Sequence, residues 1–262
     1  MIGNHITFRF MVSVLLFTSM QHLVVFPATS FARNLQTIHD GRLLSDDTEI
    51  PAAENKRFAG AILDRLPPES WADYGIACEP TKEHFLIIDC TDGRFTNPQV
   101  NQRAVLFTFC QPGYSWGENG IAIFEKDRLK DLVIYTDGWE NDIEAIPDLD
   151  HNGCMELVIE NGGVFQGEVM GTISIIGLTG DGVRSFGRIS TLDDDCENPY
   201  GGGKGGETVQ IAIRAKPVVF YRKTFHRSCT EGAKWQPAGD WQRFVPQEED
   251  GGNYQRITED SP

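Results

Sequence analysis

The stretch Asp148-Leu-Asp-His-Asn-Gly-Cys-Met-Glu156 decides how the rest of the chain is interpreted. Oxygen-bearing side chains stand at its first, third, fifth and ninth positions, and a glycine follows the fifth. Calcium takes about six to eight oxygen ligands in a flexible geometry, so a loop that offers an oxygen at every second position suits it. The pattern predicts a calcium site with these ligands: Asp148, Asp150, Asn152, the backbone carbonyl of Cys154, and Glu156.

Two other structures use similar stretches. An EF-hand needs a bidentate acid at position twelve of its loop, where this chain has Ile159 inside a run typical of a buried strand. The EF-hand is therefore excluded. A polar turn is the simpler alternative, because Asp and Asn often bond their own backbone and Asn-Gly is a common hairpin corner. We favour the metal site over the turn because so many oxygen positions of a calcium loop are filled.

The chain on both sides of this stretch predicts a mainly β domain of antiparallel sheets with one N-terminal amphipathic helix. From Trp71 onward, short β-rich runs alternate with turn residues, as in antiparallel β architecture. The helix is predicted over Pro51–Leu66, where apolar residues recur at helical spacing before Pro67-Pro68. The predicted strands are Phe85–Asp89, Ala104–Phe109, Ile121–Phe124, Leu132–Tyr135, Leu157–Glu160, Gly171–Leu178, Val183–Ile189, Val209–Ala215 and Val218–Tyr221.

Residues 141–178 resemble a single FG-GAP or VCBS-type repeat, the blade unit of integrin α-like β-propellers. The matching text is Ile146-Pro-Asp-Leu-Asp-His-Asn-Gly-Cys-Met-Glu-Leu-Val-Ile159, followed by Asn161-Gly-Gly163 and Gly171-Thr-Ile-Ser-Ile-Ile176. In that family the acidic loop joins two strands of a blade and binds calcium, so the resemblance implies the same role here. The family's Gly-Ala-Pro element is missing, the fifth loop position is Asn rather than Asp, and no second acidic loop follows.

A propeller needs repeated blades, typically about four or more. With one recognisable repeat, we expect either a small or degenerate propeller-like arrangement or another β-sheet domain that carries one calcium loop.

The ends of the chain predict an exported protein. Residues 1–32 have the pattern of a secretory signal: Arg9, an apolar run over 10–26, and small residues at Ser30 and Ala32 before the cleavage point. Gln21 and His22 interrupt a run already short for a bilayer span, so no stable membrane span is expected after cleavage. We expect a flexible leader at 33–50, a single β domain at 51–246, and a disordered acidic tail at 247–262.

Charge and cysteine content narrow the function classes. The chain carries a formal net charge of −15, which repels phosphate backbones and argues against a nucleic-acid partner. Six cysteines in an exported chain favour disulfides, and three bridges are plausible. Cys78–Cys90 and Cys196–Cys229 are the expected pairs, although six cysteines allow about fifteen connectivities. Because no N-glycosylation sequon occurs, a periplasmic or secreted bacterial protein is favoured.

The alternative function is a secreted serine hydrolase. Gly113-Tyr-Ser115-Trp-Gly117 fits the GxSxG pattern, with His226 and one acid of Asp193–Asp195 as further triad members. A nucleophile elbow leads into a helix over a parallel sheet, whereas a turn and a β run follow this motif. We therefore expect no catalysis, and predict a binding or structural protein of the cell envelope whose ligand the sequence does not identify. Asp193–Asp195 are a second candidate cation site.

Overall fold

The structure is a computed structural model, and it describes residues 35–43, 50–66, 85–110, 117–180, 182–196, 198, 203–247 and 254–257. Within these ranges lie one helix, α1 (Ala52–Leu63), and fourteen strands. The strands are β1 (Gln36–Asp40), β2 (Leu86–Gly93), β3 (Gln102–Cys110), β4 (Gly117–Glu125), β5 (Arg128–Asp137), β6 (Trp139–Ile146), β7 (Glu156–Phe165), β8 (Glu168–Thr179), β9 (Gly182–Asp194), β10 (Gly206–Ala215), β11 (Val218–Arg227), β12 (Gln236–Pro237), β13 (Gln242–Phe244) and β14 (Gln255–Ile257).

These strands form two antiparallel sheets. The five-stranded sheet has the order β14-β5-β4-β3-β2, and the nine-stranded sheet follows β12-β11-β10-β9-β8-β7-β6, with β1 on β10 and β13 on β11. Within them, β2 to β5 and β6 to β9 are two four-stranded meanders, in which each strand pairs with the next along the chain. The predicted fold class, mainly β with antiparallel sheets and one helix, is confirmed, and the arrangement is compatible with the propeller-like expectation.

The two meanders pack face to face. Alternate residues of β3 point to opposite sides: Val105 and Phe107 lie in a core beneath α1, whereas Ala104 and Leu106 lie in a core shared with β6, β7 and β8. A strand with both faces buried has a continuous apolar sequence rather than alternating apolar and polar residues. The helix, the β2–β5 meander and the β6–β9 meander are therefore successive layers.

The nine-stranded sheet folds back over itself to make a third core. β9 and β10 are joined through only three residue pairs, Leu192 to Asp194 with Gly206 to Thr208. One apolar cluster combines side chains from β7, β8 and β9 with side chains from β10, β11 and β1. Because both halves of the sheet contribute to the same cluster, they face each other across it.

Helix α1 lies in the segment predicted to be helical, and it ends three residues earlier than expected. Phe58 and Ile62 are fully buried, and the Phe58 ring lies 4.5 Å from the Phe124 ring of β4. Apolar residues at positions i and i+4 share one face of a helix, which is why this stripe packs on the sheet.

Two segments expected to be unstructured contain strands. β1 lies within the predicted flexible leader at 33–50, yet it pairs with β10 and buries Ile38. β14 lies within the predicted disordered tail at 247–262, yet it pairs with β5 and buries Ile257. Both strands are short and flanked by polar residues, so neither carries a sustained sequence period. The signal prediction for residues 1–32 lies outside the described residues.

One of the two expected cysteine pairs forms, and the other does not. Cys196 and Cys229 form a disulfide with their Cα atoms 5.0 Å apart, as predicted. Cys90 and Cys154 are free thiols, so the Cys78–Cys90 pairing is wrong and the chain does not form three bridges. Cys90 belongs to β2, where neighbouring residues pair with β3, and Cys78 lies outside the described residues.

Within the described part of the chain, no helix has both the length and the apolar character needed to cross a membrane.

Candidate metal centre

The predicted calcium loop connects β6 to β7. Ile146, the last residue of β6, pairs with Glu156, the first residue of β7, so the loop leaves and re-enters the sheet at neighbouring positions. Leu149 is 3 % exposed and joins the third core cluster, which anchors the middle of the loop. The acidic stretch is thus held at the end of a packed hairpin.

Three of the five predicted ligands are brought together by their side chains. Carboxylate oxygens of Asp148, Asp150 and Glu156 all lie within 4.8 Å of one another. Glu156 is 1 % exposed, whereas the other two are half-buried at the mouth of the loop. Their spacing is small enough for all three groups to contact one divalent ion, so the cluster could hold a metal.

Backbone N–H groups of the loop donate to these acids and to the amide beside them. Asp148 Oδ2 accepts from Gly153 N at 2.8 Å, and Asp150 Oδ1 accepts from Asn152 N at 3.1 Å. Asn152 Oδ1 accepts from Cys154 N at 2.6 Å, and Glu156 Oε2 accepts from Leu149 N at 2.7 Å. A carboxylate has about four lone-pair sites, so these bonds leave capacity for a cation.

The loop reverses through residues with left-handed backbone conformations. Gly153 has φ of +89°, and a Cβ at this position would lie 3.0 Å from the Cβ of Pro98. His151 has φ of +64° and its side chain is exposed, as expected for a residue that takes no part in the carboxylate cluster. The backbone N–H of Met155 donates to the carbonyl of Arg94 at 2.6 Å, which ties the loop to the segment after β2.

Burial, together with nearby negative charge, raises the proton affinity of two groups in the loop, Glu156 and Cys154. The pKa of Glu156 is raised to about 7, mainly by burial. The charges of Asp150 and Asp148 also raise it, whereas the hydrogen bond from Leu149 N lowers it. The pKa of the Cys154 thiol is also raised, first by burial and then by the same acids. The one ion pair described for these acids joins Arg184 to Asp150 at 2.9 Å, and the Arg184 side chain is 57 % exposed. Solvent weakens such a pair.

Two acids of the second candidate cation site, Asp194 and Asp195, already have other partners. Asp194 pairs with Arg227, and Asp195 accepts from the N–H groups of Lys204 and Gly205 at 2.9 Å each. Asp195 also lies near the sulfurs of Cys196 and Cys229. Those sulfurs are joined in the disulfide, so they are not thiolate ligands.

Ser115, the nucleophile of the alternative hydrolase, lies outside the described residues. The element that begins at Gly117 is strand β4 rather than the helix that follows a nucleophile elbow. His226 is exposed on β11, with its Nε2 2.9 Å from Glu207 Oε2. Asp193 and Asp194 are at the end of β9.

An acid-lined cavity is the feature that sequence reasoning missed. It lies between β1, β2, β6 and β7, and its acids include Asp89, Asp142, Glu144 and Glu160. The sequence signal is an acidic residue on either side of Ile143 in β6, which places both acids on one face of a strand. That signal went unused because β6 itself was not predicted.

Comparison of the chain with protein-family models, with curated proteins and with solved structures finds no match.

Proposed function

We propose that the loop between β6 and β7 is a structural calcium site in an exported, non-catalytic β domain that binds a ligand or has a structural role at the cell envelope. The observation that carries the proposal is the convergence of Asp148, Asp150 and Glu156 within 4.8 Å. Asn152 and the carbonyl of Cys154 complete the proposed ligand set. All of these ligands are oxygens, the donor type that calcium prefers.

Negative charge is concentrated in this loop. Three carboxylates in one turn repel one another, and a buried charge without a partner is costly. Arg184 offsets part of this charge from an exposed position. A divalent cation between the three groups would neutralise the remainder and pin the connection between two strands.

The position of the loop in the fold supports the resemblance to an FG-GAP or VCBS-type blade. The loop joins the first and second strands of the four-stranded meander β6–β9, and in the family the acidic loop joins two strands of a blade.

The Cys196–Cys229 disulfide supports export, because disulfides persist in oxidising compartments. Detection of an N-terminus after Ala32 in secreted or periplasmic fractions would test the export.

Calcium titration of chelator-treated protein tests the site. Calcium at about a hundred times its Kd adds about 2.7 kcal/mol to the free energy of unfolding, which raises Tm by about 5 to 10 °C for a domain of this size. The double variant Asp148→Asn and Asp150→Asn should lose this rise, and circular dichroism should verify that it folds. Asp240→Asn, which changes an exposed acid elsewhere, should keep the rise. Identical melting curves with calcium and with chelator would overturn the proposal.

A further inference from the structure

The cavity between the two sheet edges has the size of a small-molecule site. Its volume is about 540 Å³, within the range of about 300 to 1,000 Å³ usual for ligand pockets. β2 and β6, the edge strands of the two sheets, form two of its walls, and β1 and β7 form the others. Ile38, Ile143 and Val158 supply apolar surface.

The polar lining of this cavity consists mainly of acceptors. Four carboxyl groups line it besides Asp40, and Asp40 is paired with Arg42. Among the described residues that line the cavity there is no lysine and no arginine. The lining imidazole, His39, is neutral at pH 7 because burial lowers its pKa to about 4, against the opposing effect of Asp40. An ionised carboxylate can only accept hydrogen bonds, so the lining offers many acceptors and no positive charge at pH 7.

Two buried lining groups have unused hydrogen-bonding atoms. Asp89 is 6 % exposed, and its Oδ2 accepts from Ile143 N at 3.2 Å. Its Oδ1 finds no N–H or hydroxyl donor among the described residues. The neighbouring carboxyl of Asp142 can donate to Asp89 only while it holds a proton. The side chain of His39 is 8 % exposed, its Nδ1 lies 3.5 Å from Glu160, and its Nε2 has no described partner. Buried polar atoms are rarely left without partners, so His39 Nε2, and Asp89 Oδ1 once Asp142 is ionised, point to a missing ligand.

The spread of the acids identifies the type of ligand. The described residues contain two groups of three potential metal-ligand atoms within 4.8 Å of one another, and neither group lies in this cavity. A single metal ion would require such convergence. Carboxylates distributed around an apolar wall instead match an extended ligand that has N–H donors at separated points and methylene groups between them.

We propose that this cavity binds a small aliphatic amine in its cationic form, with diamines as the chemical class that fits its separated carboxylates and apolar wall. Each ammonium group donates three hydrogen bonds to acceptor-only side chains. One ammonium group bonds the Asp89 and Asp142 pair, and the other bonds Glu144 and Glu160. The methylene chain lies against Ile143 and Val158.

Isothermal titration with 1,4-diaminobutane tests the proposal. EDTA is present throughout, so that metal binding at the β6–β7 loop does not contribute. We expect saturable binding of one diamine per chain, and no binding of 1,4-butanediol, which has the same chain length without charge. Failure to bind the diamine at millimolar concentration, or equal binding of the diol, would overturn the proposal.

Substitutions locate the binding. Asp89→Asn and Asp142→Asn should each weaken diamine binding at least tenfold, while Asp240→Asn should leave it unchanged. Glu144→Gln changes an exposed acid of the same cavity, so it remains informative if a buried substitution prevents folding, and it should weaken binding severalfold. Equal affinity in all four variants would show that the diamine binds elsewhere. In a separate titration without EDTA, binding of manganese or calcium that Asp89→Asn abolishes would overturn the diamine assignment and identify a metal site instead.

Proton release provides an independent readout. The groups that face Asp142 are Asp89 and Cys90 on β2, His39 and Asp40 on β1, Glu144 on β6 and Glu160 on β7. Burial and the Asp89 carboxyl favour the protonated form of Asp142 at pH 7, and a bound ammonium favours the ionised form. Titrations in two buffers of different ionisation enthalpy should therefore detect about one proton released per diamine, and none with Asp142→Asn. No release from the unmodified protein would contradict the assignment of the ammonium to this carboxyl pair.

Discussion

Asp142 illustrates how position on an edge strand changes the chemistry of one residue. Burial raises the pKa of its carboxyl to about 8, and the adjacent carboxyl of Asp89 adds to the rise because two negative charges so close disfavour each other. Glu144 and Glu160 line the same cavity, and burial raises their pKa values as well. The cavity therefore favours the protonated forms of Asp142, Glu144 and Glu160 more than water does.

This proton affinity predicts a pH dependence of stability. A carboxyl whose folded-state pKa is raised contributes most stability below its unfolded pKa of 3.8, and this contribution is lost as the pH rises toward about 8. Asp142→Asn removes the titration, so the variant should be more stable than the unmodified protein at pH 8 and nearly equal to it at pH 5. The difference at pH 8 should be about 1 to 2 kcal/mol, a figure reduced because the half-buried side chain is partly screened by solvent.

Urea unfolding at pH 5 and pH 8 measures this difference, with Asp240→Asn as the control for removal of one acid from the surface. His39 acts in the opposite direction, because its lowered pKa reduces stability as the pH falls from 6.5 toward about 4. The comparison between variants at one pH cancels this contribution. Parallel pH profiles for the unmodified protein and Asp142→Asn would contradict the prediction.

At the scale of elements, the β6–β7 loop depends on a glycine to reverse direction. Gly153 combines φ of +89° with a Cβ position 3.0 Å from Pro98. Gly153→Ala should therefore lower the free energy of unfolding by about 1 to 2 kcal/mol, because an L side chain is strained in this conformation. Gly180→Ala is the matched control, since Gly180 lies in another turn, its φ is outside the left-handed region, and no atom lies within 4 Å of an added Cβ. Chemical denaturation in EGTA compares the two, and an equal effect would show that the loop tolerates the alanine.

The strands differ in how well their sequences predict them. β3 and β5 contain the runs Ala104–Phe109 and Leu132–Tyr135, which are apolar because both faces of the sheet are buried. Such apolar runs can be recognised as strands from the sequence alone. β6 has the sequence Trp-Glu-Asn-Asp-Ile-Glu-Ala-Ile, with acids at positions that line the cavity. Acids, rather than apolar residues, occupy these positions, so a pattern of alternating apolar residues does not predict this strand.

The two acidic clusters show the same limit for sites. Asp148, Asp150 and Glu156 lie within nine residues of one another, so the sequence predicts their convergence from spacing alone. Asp89, Asp142 and Glu160 come from three strands, and only the packing of β2 against β6, which pairs with β7, brings them together. No local spacing encodes that contact. The pairing of β1, which contains His39, with β10 is likewise a contact between distant parts of the chain, so the sequence around His39 did not predict it.

At the scale of the whole molecule, the layers explain where the cavity lies. The helix covers one face of the β2–β5 meander, and the β6–β9 meander covers the other. Among the described strands, β2 and β6 each lie at one edge of their sheet. Edge strands leave backbone groups unpaired and are commonly protected by charged side chains. The acids between these two edges thus both protect them and create a pocket lined by acceptors.

The closing half of the nine-stranded sheet is held by the disulfide. Cys196 follows β9 and Cys229 follows β11, so the bridge encloses β10 and the hairpin that faces the third core. The two cysteines are separated by 33 residues. A cross-link that closes a loop of this length restricts the unfolded chain, and it stabilises the folded state by about 3 to 4 kcal/mol. The paired variant Cys196→Ala with Cys229→Ala should lower the free energy of unfolding by this amount, measured in urea without reductant.

Cys154→Ala is the matched control for loss of a sulfur without loss of a bridge, measured in EGTA so that the metal site does not contribute. This thiol is buried and free, so its removal should cost less than the removal of the bridge and should leave the effect of reductant unchanged. Reductant should destabilise the unmodified protein and Cys154→Ala more than it destabilises the paired variant, because the Cys196–Cys229 bridge is already absent from the latter. A loss below about 1 kcal/mol in the paired variant would mean that the fold-over of β10 and β11 is held by the Ile38, Val209 and Ile211 core rather than by the cross-link.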